Sequence, residues 1–444
     1  MDKNEEKIIT LKSLLKRKLS YFPFFYKITV RGWYIFHGLR NKLLAWFILN
    51  IPPVMRISLA RLLKFKYPTI VNIFNNVLPN QLGKTVLFVS NNLHSREPRM
   101  AEAASLAGWN PIVIYIGKPK YNPDDFFQFH AQVKNTFQMI LAIWLFRGSL
   151  IHLFTWGGHE GYIVCKVKPC PVILDIYDTF SGLTLVPDKL KDDERNTIRI
   201  ADGMTHRDLR VKYLHDIHDY KLPKYNVFIT DLMPEVREFH ILNRMDKEIH
   251  AVSTGTLGGL NNPDNMIVRS IESLCKAGIH VHIYCPHNSF SNPDMKDYLQ
   301  LIHRFSNLHI EPPIFGDAYW EQLRNFDFGL AIFEPLTYSE PPTMYTNDYL
   351  KGCGSSRLMD YTQADLGVII SPGLEFMNFL ARRYAQVVVP ATIEFLNNPR
   401  PILEQALIQK KNGVKKNLHS ITTKGVAPRL GEFYSKVASI NSEQ

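Results

Sequence analysis

Gly352-Cys-Gly-Ser-Ser-Arg-Leu-Met-Asp-Tyr-Thr-Gln-Ala-Asp-Leu-Gly-Val-Ile-Ile-Ser371 reads as a glycine loop, a short helix, a second glycine turn and a buried strand. Residues 368–370 are a compact β-branched run, which suits a strand covered on both faces in a parallel sheet. Ser355 or Ser356 stands where an N-cap is expected, leaving backbone N–H groups at a positive dipole end that favours phosphate. Arg357 and Asp360 are three positions apart and share a helix face. A cation beside such an end, with a carboxylate one turn on, suits a nucleotide diphosphate: Arg357 toward phosphate, Asp360 toward the ribose diol. The plainer alternative is an i,i+3 ion pair on a solvated helix.

Outward from this stretch, strands and helices alternate in both directions. Strands are predicted over 248–253, 281–285, 308–310, 328–332 and 387–389, and helices over 263–277, 295–305, 319–325 and 376–385. Residues 393–411 hold helix broken by Pro399 and Pro401. Residues 248–425 therefore form one α/β unit, and 427–438, within the tail 426–444, form a closing helix. The polar stretch 241–247 separates a second unit, 84–240. Its predicted strands are 85–90, 111–116, 150–154, 172–177, 204–206 and 227–230, and its predicted helices are 96–106, 126–147, 161–166 and 192–201. Two doubly wound α/β units of similar size imply a cleft, with ligand-facing loops at the carboxyl ends of the strands. Those loops carry His94, His159 and Asp178; none has the GxGxxG of a dinucleotide site.

A chain of 444 residues with 45% hydrophobic and 21% charged residues can bury two or three cores. The net charge of +11 is uneven: residues 1–66 hold 14 Lys and Arg against three acids, also +11, so the rest is near neutral. The extension, taken as 1–75, mixes these cations with aromatics. Its apolar run at 43–49 is too short to span a bilayer, and no cleavage site follows it. Over 54–66, Arg56, Arg61, Lys64 and Lys66 alternate with Ile57, Leu59, Leu62, Leu63 and Phe65. That spacing suits a basic amphipathic helix on an anionic membrane face. Helices packed on the main body or on a partner are the alternative, ahead of nucleic acid. Five scattered cysteines without CxxC or zinc spacing fit a reducing compartment and no metal site. The expected location is cytoplasmic, peripheral to the inner face of the membrane.

Four landmarks, in order, resemble the GT-B glycosyltransferases, particularly family 4 (the group 1 glycosyltransferases), over residues 84–425. Pro98-Arg-Met-Ala-Glu-Ala-Ala-Ser-Leu-Ala-Gly-Trp-Asn-Pro-Ile-Val-Ile looks like the family's first helix and second strand. Ala201-Asp202 before Met204-Thr205 looks like the hydrophobic strand late in the acceptor domain. Residues 249–259 with the helix at 267–275 resemble the opening of the donor domain, and Arg357-Leu-Met-Asp-Tyr with Gly367 before a strand resembles the donor motif. The resemblance implies two Rossmann-like doubly wound domains facing a cleft. It also implies backbone N–H groups of Gly255 and Thr256 on the donor phosphates, with Ser356 and Arg357 beside them, Asp360 on the ribose, and the backbone of 313–315 clamping the base.

Two departures stand out. Many members place glutamates eight positions apart around the donor helix; here Asp360 fills the second place and Gly352 the first, with Glu334 and Glu340 the nearest substitutes. A subset ends an acceptor-side strand in His-x-His-aromatic-Trp. In Ile151-His-Leu-Phe-Thr-Trp156, His152 and Trp156 match but Phe154 replaces the second His, leaving His159 to turn back into the cleft. With Asp178 and His94, it supplies the candidates for general base on an acceptor hydroxyl. The expected activity is sugar transfer from a nucleotide-diphosphate sugar to a glycan or lipid-linked acceptor in cell-envelope synthesis, with no cofactor beyond that donor, no metal and no nucleic acid. The alternatives are an inactive GT-B-like scaffold that binds a glycan or protein, and a sugar-nucleotide epimerase.

Overall fold

The computed structural model describes residues 84–119, 121–146, 148–155, 158–183, 186–213, 220–234, 247–255, 266–285, 296–332, 346–413 and 416–442. The basic extension, Trp156, Thr256, Glu334 and Glu340 lie outside them.

The first domain contains β1 (Thr85–Ser90), α1 (Arg96–Leu106), β2 (Asn110–Tyr115), β3 (Phe129–Gln132), α2 (Thr136–Leu145), β4 (Leu150–Thr155), α3 (Gly158–Val167), β5 (Val172–Ile176), α4 (Asp188–Ile200), β6 (Gly203–His206) and β7 (Tyr225–Phe228). Its strands pair in the order β3-β2-β1-β4-β5-β6-β7, all parallel. β1 and β5 are buried along their whole length, as expected of central strands with helices on both faces. The second domain contains β8 (His250–Thr254), α5 (Met266–Lys276), β9 (His280–Tyr284), α6 (Lys296–Arg304), β10 (Leu308–Glu311), α7 (Asp317–Leu323), β11 (Phe328–Ala331), α8 (Asn347–Gly352), α9 (Ser356–Gln363), β12 (Gly367–Ile370), α10 (Glu375–Tyr384), β13 (Val388–Pro390), α11 (Ile393–Asn397) and α12 (Pro399–Asn412), and α13 (Thr423–Ala438) comes after it. Its sheet runs β10-β9-β8-β11-β12-β13, again parallel. Strand order reverses between β1 and β4 and between β8 and β11, and those are the points where open α/β sheets take ligands.

Three local expectations are corrected. The helix predicted over 126–147 is instead β3 followed by the shorter α2. Phe129–Gln132 pairs with β2 as an edge strand, and Asn135 caps α2 by accepting from the Gln138 N–H at 3.1 Å. Gly352 does not open a loop; it is the last residue of α8, which Thr346 caps through the Tyr349 N–H at 3.2 Å. Ser355 occupies the N-cap position of α9, yet its side chain makes no capping bond. The break near Pro399 falls where proline chemistry puts it, with α12 starting on that residue.

α13 follows the second domain in sequence but packs on the first. The chain crosses through a parallel bridge at Met233 and Thr422, where Met233 N–H bonds Ile421 O and Thr423 N–H bonds Met233 O, each at 2.9 Å. Leu430, Phe433, Tyr434 and Val437 join Phe88, Met100 and Trp109 in one cluster, with Tyr434 edge-on to Trp109 at 5.3 Å. No helix among the described residues is long and apolar enough to cross a membrane.

Candidate functional site

The second switch point is built from the carboxyl end of β8 and the start of α9. Gly255 follows β8 with φ +85°, a left-handed conformation that glycine adopts without steric cost. The Arg357 Nη2 atom lies 3.2 Å from where a Cβ on Gly255 would stand, so the guanidinium rests against the turn. The Thr254 N–H donates to the hydroxyl of Tyr361 at 3.0 Å, tying β8 to α9 from below. Burial pushes the Tyr361 hydroxyl up, and Arg357 opposes it. The structure thus brings the Arg357 guanidinium, carried by the first turn of α9, against Gly255, with Ser356 the residue before it on the helix.

Asp360 lies one turn further along α9, only 8% exposed. It does not pair with Arg357. Its Oδ1 accepts from Arg99 Nη2 at 2.9 Å, across the domain boundary, and its Oδ2 accepts from the Tyr319 hydroxyl at 3.1 Å. Burial pushes the Asp360 carboxyl up, and Arg99 and Tyr319 pull it back.

On the first domain, His94 sits in the loop after β1. Its N–H donates to Glu97 Oε2 at 3.1 Å, and its ring stands edge-on to Tyr177 at 5.5 Å. Glu97 is fully buried and also accepts from the hydroxyls of Ser90, at 2.7 Å, and Tyr177. Burial dominates these hydrogen bonds and moves its carboxyl up to about 7. Asp178 follows Tyr177, and its Oδ1 accepts from Arg210 Nη1 and from the Tyr349 hydroxyl, both at 2.5 Å. Burial alone would raise Asp178; Arg210, the Tyr349 hydroxyl and Arg207 together outweigh it and hold the carboxyl below the usual range. A carboxylate so held is a weak proton acceptor. His159 is the second residue of α3, at the first switch point.

His152, singled out beside Trp156, is wholly buried and belongs to a hydrogen-bonded chain within the first domain. The donors along it can be assigned in sequence. The Tyr434 hydroxyl donates to His152 Nδ1 (2.6 Å), His152 Nε2 to Thr205 Oγ1 (3.3 Å), and Thr205 to Asp175 Oδ2 (2.6 Å). Burial holds His152 neutral by lowering it to about 3.

Gly352, the expected place of a sugar-reading carboxylate, is a contact between domains. A Cβ there would stand 2.7 Å from Tyr213 Cδ2 and 2.9 Å from the Arg210 backbone nitrogen. The Leu209 N–H bonds Gly352 O at 3.0 Å, and the Gly354 N–H bonds Asp208 Oδ2 at 3.1 Å. Residues 207–213 therefore occupy the space that a glutamate side chain would need.

Arg99, Tyr319, Arg210 and Tyr349 went unassigned in the sequence. One signal was available: Arg96-Glu97-Pro98-Arg99 opens an apolar helix with three charges, and all three are nearly or fully buried. Charges are seldom buried unless paired.

Among solved structures the chain is similar to an S. aureus MnaA–UDP co-structure, at 10% identity and a TM-score of 0.51 over 80% of this chain and 97% of that one. It is similar to AviGT4, a glycosyltransferase involved in avilamycin A biosynthesis, at 10% identity and 0.51 over 80% and 98%. It is also similar to the catalytic domain of starch synthase IV from Arabidopsis thaliana bound to ADP and acarbose, at 10% identity and 0.51 over 80% and 100%. No family model matches the chain, and no curated protein matches it in sequence. At these identities the likeness is one of fold, and the fold is GT-B.

Proposed function

We propose that the chain is a glycosyltransferase, moving a sugar, of the hexosyl type, from a nucleotide-diphosphate donor to a membrane-associated or polysaccharide acceptor in cell-envelope glycan synthesis. The observation that supports it most is the meeting of Gly255 and Arg357 at the second switch point. Departure of the leaving group puts charge on a diphosphate, and a fixed guanidinium beside a helix N-terminus stabilises charge at that position. The similar structures include complexes with UDP and with ADP, which suits the same pocket.

Calorimetry with UDP, GDP and ADP tests the reading, with one of the three expected to bind. Arg357→Ala is expected to weaken that binding by roughly 10- to 100-fold, since a charge-assisted hydrogen bond is worth about 1.5–3 kcal/mol. A variant that binds as the wild type does would refute the assignment of Arg357. The packing at Gly352 favours one other reading, a GT-B-shaped scaffold without transfer, and binding of none of the three nucleotides would select it. Conversion of a sugar nucleotide with no acceptor present would instead select the epimerase.

For the acceptor side, the basic segment is proposed to seat the first domain on anionic lipid. Exchanging Arg61 and Lys64 for glutamine should reduce partition onto phosphatidylserine vesicles by roughly 30-fold at low salt, at about 1 kcal/mol per cation. Unchanged co-sedimentation would argue for packing against protein instead.

A further inference from the structure

The pair formed by Arg99 and Asp360 joins residues 261 positions apart, and the two side chains are only 10% and 11% exposed. Arg99 is anchored on its own domain, where its Nη1 donates to Leu232 O at 2.6 Å. Its guanidinium also stands 6.0 Å from the centre of the Trp320 ring, on the second domain. On Asp360, Arg99 takes one carboxylate oxygen and Tyr319 the other. Each oxygen of the carboxylate thus already has a donor, and the side chain is only 11% exposed. A ribose diol offers a carboxylate two hydroxyl donors, the same type of contact that Arg99 and Tyr319 already make. Arg357 stands one turn earlier on the same helix, against Gly255, and marks the phosphate end of the proposed site.

Resting on the nucleotide reading above, we propose that Arg99 occupies the ribose position of the donor site and yields Asp360 to the diol of an incoming ribonucleotide. Two consequences follow physically. Donor affinity is lowered by whatever it takes to part the pair, because the competent state is only a fraction of the population. Because Arg99 stays bonded to Leu232 O, its release also loosens the first domain from α9, so donor entry and the domain seam are coupled.

The test compares the nucleotide chosen by the panel with its 2′,3′-dideoxy counterpart, by calorimetry on the full chain. Arg99→Gln is expected to bind the ribonucleotide ~10-fold more tightly, within the usual range of such couplings, with no gain for the dideoxy form. Arg99→Lys keeps the charge but cannot bridge Asp360 and Leu232 O together; it is expected to show a smaller, ribose-dependent gain, and it decides the matter if the glutamine variant does not fold. Unchanged or weaker ribonucleotide binding, or an equal gain for both nucleotides, overturns the proposal and leaves the nucleotide reading standing. Absence of binding in all chains removes the nucleotide reading, and this inference with it.

Discussion

Replacing Asp175 with alanine is expected to cost the first domain about 3–5 kcal/mol, a large share of the about 5–15 kcal/mol by which domains are stable. Asp175 is fully buried in the middle of the first sheet. It receives Arg96 Nε at 2.9 Å on both oxygens and the Thr205 hydroxyl at 2.6 Å, with Arg96 Nη2 at 2.7 Å. Arg96 in turn donates to Thr230 O at 3.0 Å and Ile229 O at 2.9 Å, so one ion pair pins α1, β5 and the segment after β7 together. Without the carboxylate, a guanidinium that is 2% exposed keeps only Asp231, at 3.5 Å, as an anionic partner. The large cost is that of stranding a buried charge rather than of losing the pair. Exchanging both partners for apolar residues, Asp175→Leu with Arg96→Met, should therefore recover most of the stability. Urea unfolding followed by circular dichroism reads both variants. A single Asp175→Ala chain within about 1 kcal/mol of wild type would show that the network is not what holds the sheet.

Glu97→Gln is expected to make the protein more stable at alkaline pH and to flatten its pH dependence. The sign follows from the direction of the shift. A carboxyl raised from 4.5 to about 7 by burial binds its proton more tightly in the fold than in the open chain. It therefore adds stability that is fully present below pH 4.5 and lost as pH rises through 7, roughly 3 kcal/mol in all. Between pH 5.5 and 8.5 the gap between variant and wild type should widen by about 2 kcal/mol in favour of the variant. The site accepts the exchange. The single Ser90 hydroxyl proton can turn from Glu97 onto Asn92 O, 2.8 Å away, which frees Oγ to receive from a protonated Glu97 or from a glutamine amide, while the other oxygen still accepts from His94 N–H and Tyr177. His152 acts in the opposite direction: held near 3 and neutral, it costs stability as pH falls below 6.5. Comparing Glu97→Gln with wild type at each pH cancels that contribution. A gap that stays constant from pH 5.5 to 8.5 would mean Glu97 is charged throughout.

Much of the fold was legible because its signals are short-range. β12 showed as an apolar run behind Gly367, and the turn at Gly255 as the start of a glycine-rich loop after β8. β3 was missed because an edge strand is half-exposed and carries no alternation strong enough to separate it from the helix that follows. The nearness of Arg357 to Gly255 is the part of the candidate site that the family resemblance implied. Asp360 was located correctly on its helix, but the alternative pairing with Arg357, three residues away, does not form, and the partner it has lies 261 positions away. His152 matched a pattern and proved to be a core residue, because burial lowers its pKa and both ring nitrogens find partners inside the first domain.

The amino-acid sequence by itself determined two parallel α/β domains, a basic extension ahead of them, a glycine turn after β8 and an arginine-bearing helix before β12. Periodicity, turn chemistry and local charge act over a few residues and are written in the order of the chain. Only the tertiary structure decided that α13 closes the first domain, that Gly352 is a point of close approach for Arg210, and that Arg99 holds Asp360. Each of these depends on burial that removes water from a polar group and obliges it to find a partner wherever the packed chain brings one. That partner is fixed by the path of the backbone through space, which no local pattern encodes.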